Sequence, residues 1–101
     1  MILHLAFFRF KEEVSAADVA ELTQRLKEMA AQLHMLRSYE CGENLRVRPS
    51  DLDYAVAAVV DDAPALEAYL DSDVHKAVYD QILGRMVDTR AAAQLEVESW
   101  G

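Results

Sequence analysis

The chain has 101 residues, 52% of them apolar, which is enough hydrophobic material for one domain and too much for a disordered chain. Lys and Arg total 10 against 18 Asp and Glu, and the resulting net charge of −8 argues against tracking nucleic-acid phosphates or adhering to anionic membranes. A single cysteine, Cys41, excludes an internal disulfide and a paired-cysteine metal clip, and no apolar run nears the roughly 20 residues that span a bilayer.

The opening MILHLAFF has no basic n-region, is interrupted by His4 and precedes no small-residue cleavage site. The expectation is one soluble, cytoplasmic domain over residues 1–101. Ile2 to Phe10 alternates as a strand with two apolar faces: Ile2, His4, Ala6, Phe8 and Phe10 on one, Leu3, Leu5 and Phe7 on the other. Ser15 and Asp18 have capping-box spacing. Val19, Leu22, Leu26, Met29 and Leu33 then recur every three or four residues, predicting an amphipathic helix from about 16 to 33.

Arg37 to about Leu45 is a weak, polar strand, and Pro49-Ser50-Asp51 is turn chemistry. Asp53 to Val60 is a second strand apolar on both faces. Asp61-Asp62 before Pro64 marks a helix start, and Ser72 caps a second helical segment reaching Leu83 or Met86. Ala91 to Trp100 closes the chain as a strand, with Trp100 suited to a dimer seam. The order β-α-β-β-α-β predicts an α+β, ferredoxin-like protomer: a four-stranded antiparallel sheet with helices on one face. The other apolar face needs cover, and an identical sheet supplies it, so the expected partner is a second copy of the chain.

Three histidines differ in context. His34 ends the first helix, where an imidazolium suits the helix dipole and needs no other role. His4 sits within an apolar strand face and His75 on a helical stripe with Val78, Tyr79, Ile82 and Met86; each requires a hydrogen-bond partner. Tyr69, six residues before His75, is the candidate partner. His4, Tyr69 and His75 together suit a small-molecule cavity, since imidazole abstracts protons near neutrality and a phenol donates to an enolate or carbonyl oxygen. The competing reading makes them core polar residues without chemistry. No metal-ligand spacing or phosphate-cradling glycine loop appears, so no metal or other cofactor is expected, and Cys41 reads as a small strand residue.

Three segments then carry a resemblance: I-x-H-x-x-x-F-x-F-K (Ile2, His4, Phe8, Phe10, Lys11), R-S-Y-x-x-G (Arg37 to Gly42), and L-E-A-Y-L (Leu66 to Leu70) followed by His75. From Ile2 to about Val97 the chain resembles the stress-responsive α/β-barrel (Dabb) family of the dimeric α+β-barrel group. The resemblance implies a barrel-forming homodimer. By analogy with plant polyketide cyclases it implies His75 as general base, Tyr69 as its orienting partner and His4 as a ligand-positioning group. Two departures stand out: Ser72-Asp73-Val74-His75 replaces a His-Pro-x-His pattern, and Leu26 stands where the cyclases carry an aromatic. The expectation is a pocket for a small hydrophobic carbonyl compound, with cofactor-independent cyclase, isomerase or lyase chemistry. The alternatives are a non-catalytic stress or assembly protein and a cofactor-free monooxygenase.

Overall fold

A computed structural model describes residues 1–100. Its elements are β1 (Ile2–Phe10), α1 (Ala16–Ala31), β2 (Ser38–Glu43), β3 (Tyr54–Val60), α2 (Ala63–Asp71), α3 (Asp73–Val78), a π-helical turn (Tyr79–Leu83), α4 (Gly84–Met86) and β4 (Val87–Glu96). The four strands form one antiparallel sheet in the order β2-β3-β1-β4, the ferredoxin-like arrangement expected from the element order.

Local chemistry sets most boundaries. Ser15 and Asp18 close a reciprocal capping box, with Asp18 N–H donating to Ser15 Oγ at 3.1 Å and Ser15 N–H to Asp18 Oδ2 at 2.9 Å. Asp62 caps α2 by accepting from Ala65 N–H at 3.0 Å, with Pro64 in the first turn, where a missing N–H costs nothing. β4 departs from expectation at both ends. It starts at Val87, four residues earlier than the apolar alternation indicates, and stops at Glu96. It is an edge strand exposed over most of its length, so Asp88, Thr89 and Arg90 sit in it without any apolar signal.

The core lies between sheet and helices, where Phe8, Tyr54, Val56 and Ala58 meet Leu22, Leu26, Met29 and Leu33 of α1 and its end, and Val78, Ile82, Leu83 and Met86. Tyr54 is fully buried, and its hydroxyl is satisfied by Thr23 Oγ1 at 2.6 Å. The other sheet face carries Leu3, Leu5 and Phe7 beside Ala55, Ala57 and Val59 and beside Ala91, Ala93 and Leu95. No helix covers it. Trp100 folds back to its own chain at one corner, its indole N–H donating to Ser38 Oγ at 3.1 Å, next to the register partner Val59. Leu95 remains 47% exposed. Among the described residues no helix is long and apolar enough to cross a membrane.

Candidate functional site

The helix α2 ends at Asp71 because Ser72 adopts an extended backbone, with ψ 146°, before capping α3. Ser72 Oγ donates to the Tyr69 carbonyl at 2.8 Å and accepts from His75 N–H at 3.2 Å. The break leaves the last carbonyls of α2 without helical partners. One of them, Leu70 O, lies 3.1 Å from His75 Nδ1. A carbonyl only accepts, so Nδ1 carries the proton and the neutral ring presents Nε2 as a lone pair. The helix break therefore selects the His75 tautomer. The expected orienting partner was the Tyr69 hydroxyl, but the backbone supplies it: Tyr69 meets the imidazole with its ring, edge-on, at 4.8 Å between centroids.

His4 comes from the centre of β1 and is 6% exposed. Its register partner on β4 is Gln94, whose amide Nε2 donates to His4 Nδ1 at 3.0 Å. Neutral His4 therefore carries its proton on Nε2, as a donor. The two rings are complementary: one offers a base, the other an N–H.

Both histidines are pushed below the ordinary imidazole range, chiefly by burial. For His4 the nearby His75 adds to the effect; for His75 the Leu70 carbonyl opposes it and the Arg90 charge reinforces it. Both are thus neutral at pH 7. Tyr69 is 2% exposed, its phenol pushed up to about 12 by burial, so it stays protonated. Tyr39, 6.4 Å from the Tyr69 ring centre, keeps a buried hydroxyl without a hydrogen-bond partner.

His4 and His75 share the wall of a cleft of about 360 Å³, completed by Ala6 and Phe8 of β1, Leu26 of α1, Leu70, Val78, Tyr79 and Leu83, and Arg90, Ala92 and Gln94 of β4. Leu26, where the cyclases carry an aromatic, is on that wall. Tyr69 is not; it lies one layer behind, its ring against both histidines, at 6.2 Å from His4. His34 is exposed and does not line the cleft. A larger concavity of about 400 Å³ at the β1–α1 turn is bounded by Lys11, Glu43, Arg46 and Asp53 and holds none of the candidate residues. No cluster of three metal-ligating side chains exists among the described residues.

Sequence reasoning missed Tyr79, Arg90 and Gln94 as cleft residues. Arg90 and Gln94 are four apart on one strand face, so they share a side of the sheet. The signal for Gln94 was its polarity on the helix-facing side of β4; Arg90 lay outside the expected strand.

The model of the stress responsive A/B barrel domain matches residues 2–97. An uncharacterized protein of Streptomyces coelicolor is 34% identical over 79 residues, covering 76% of this chain and 81% of that protein. A dimeric ferredoxin-like protein of unknown function from Thermobifida fusca superposes with a TM-score of 0.87 at 29% identity, over 95% of this chain and 90% of that one. The hydroxynitrile lyase of Passiflora edulis superposes with a TM-score of 0.82 at 10% identity, over 99% and 96% of the two chains, a likeness of fold.

Proposed function

Since the chain belongs to the stress responsive A/B barrel (Dabb) family, we propose that it is a homodimer whose protomers each bind a small hydrophobic carbonyl compound in the histidine cleft and transform it by proton transfer, without a cofactor. The homodimer covers the open sheet face, and the dimeric Thermobifida relative supports it. One observation carries the chemistry: the Leu70 carbonyl holds the Nδ1 proton of His75, leaving Nε2 as a neutral base on a cleft wall shared with the His4 N–H.

In this reading His75 Nε2 takes a proton from the carbon next to a carbonyl, and the electron pair left behind moves onto the carbonyl oxygen. His4 Nε2–H donates to that oxygen as its charge grows. The enolate carbon can then attack a second carbonyl within the same molecule, as in a cyclase, the π pair of that carbonyl moving onto its oxygen, which takes the proton back from His75; or the enolate can be reprotonated by His75 at another carbon, as in an isomerase. The hydroxynitrile lyase fold neighbour supports the view that this architecture accommodates small carbonyl chemistry. Tyr69 acts behind the wall, its ring fixing both imidazole planes.

The test is a histidine NMR titration against a panel of phenolic and β-diketone compounds. The expected result is perturbation of His75 and His4 with at least one compound class while His34 stays unchanged. Silence of both cleft histidines across the panel refutes the reading and leaves the barrel as a scaffold.

A further inference from the structure

The cleft wall has an unusual charge content for this protein. The chain carries 18 carboxylate side chains and a net charge of −8, yet none of those carboxylates lines the cleft. Its one permanently charged group is Arg90. Elsewhere Arg9, Arg37 and Arg46 pair with aspartates, Arg25 and Arg85 donate to Gln81, and Arg48 lies exposed between β2 and β3, away from the cleft wall. Arg90 donates to no protein acceptor among the described residues. Its guanidinium instead sits 5.7 Å from the centre of the Tyr79 ring, inside the range of a cation–π contact. That contact orients the guanidinium while leaving its N–H donors free.

The seat is built by the helix. Tyr79 begins the π-helical turn, a feature that recurs at functional sites. Gly84 packs so closely on it that a Cβ there would lie 2.9 Å from the Tyr79 carbonyl oxygen and 3.2 Å from its ring.

We propose that the substrate carries a carboxylate, bound by Arg90 at the cleft mouth, so that the compound taken by the histidines is a keto acid rather than a neutral ketone. The inference rests on the carbonyl-binding reading above and narrows its substrate class. Gln94, which holds His4, and Arg90 are four residues apart on β4, about 13 Å along the strand. After allowance for the reach of the arginine side chain, the acid and the reacting carbonyl are several bonds apart. An exposed arginine at a cleft mouth, forming a bidentate pair, is worth about a ten-fold preference for acid over neutral ligand.

Coupling gives a second readout. The Arg90 charge helps hold His75 low, so neutralising it by a bound carboxylate, or removing it, moves the His75 titration upward. The probes are 5-oxo-5-phenylpentanoate and its methyl ester, followed on the folded protein by histidine NMR and calorimetry. The wild type is expected to bind the acid about ten-fold tighter than the ester, and the acid to raise the His75 titration. Arg90→Gln is expected to raise the His75 titration without ligand and to remove the acid's advantage, and Arg90→Lys to keep part of it. An ester that binds the wild type as well as the acid does, or an acid advantage that survives in Arg90→Gln, overturns this inference alone. Silence of His75 toward both probes overturns it together with the carbonyl-binding reading.

Discussion

Replacing Ala57 with Asp separates the requirement for a second sheet from the stability of the single chain. Ala57 lies mid-strand in β3 on the face opposite the helices, paired with Leu5 on one side and Glu40 on the other, and is half-buried in the isolated protomer. In the single chain an Asp there meets solvent, so its cost is that of a poor strand former opposite Glu40, about 1 kcal/mol. In a homodimer with sheets face to face, the same carboxylate is buried without a cation. Burying an unpaired charge costs several kcal/mol; taking about 3 for each copy and counting both copies of a two-fold interface gives about 6 kcal/mol. That is about four powers of ten in the dissociation constant. A micromolar dimer becomes a monomer at any practical concentration. Sedimentation velocity across a concentration series reads the association, and circular dichroism of the same samples reads the fold. A folded variant that still dimerises like the wild type, or a wild type that sediments as a monomer, refutes the face-to-face arrangement.

If His75 is the general base, His75→Ala retains the dimer and loses rate by about 100- to 10,000-fold on a turned-over substrate, the usual worth of a positioned proton transfer; a rate within a few-fold of wild type assigns the base elsewhere. The wild-type rate profile should rise through an ionisation below the ordinary histidine value, the direction in which burial moves His75. Stability follows the same sign. Both cleft histidines have folded pKa values below the unfolded 6.5, so their contribution is complete above that value and falls as acid protonates the unfolded chain first. Urea midpoints at pH 7.5 and 5.5 should therefore drop toward the lower pH, and His4→Gln with His75→Gln should flatten the difference; equal midpoints in the wild type contradict the buried neutral pair. Thr23→Ala should cost about 1–3 kcal/mol, because it leaves the fully buried Tyr54 hydroxyl unpaired, whereas adding Tyr54→Phe should restore much of that loss. A purely additive double-mutant cycle in chemical denaturation shows the pair to be energetically idle.

The fold was legible in the sequence because its signals are local. The two apolar faces of Ile2 to Phe10, the three-and-four spacing from Val19 to Leu33 and the caps at Ser15, Asp62 and Ser72 are each readable over one element's length. β4 was half-hidden because an exposed edge strand is under no pressure to alternate, so its polar first half resembles a loop.

For the candidate site, the residue types were visible and their partners were not. An imidazole at position 4 or 75 announces that a hydrogen bond is needed, but its partner depends on contacts that no local pattern encodes. His4 finds Gln94, ninety residues away, only through the β1–β4 register. His75 finds the Leu70 carbonyl only because the chain bends at Ser72 and strands that oxygen. Arg90 enters the cleft because strand pairing sets it beside Phe8 and the π-helical turn swings Tyr79 beneath it. Propensity and patterning act between neighbours in the chain, and they determined which segments fold and which faces they bury. The tautomers, the missing carboxylates and the lone arginine of the cleft wall come from contacts between segments far apart in the sequence, and only the packed structure decides them.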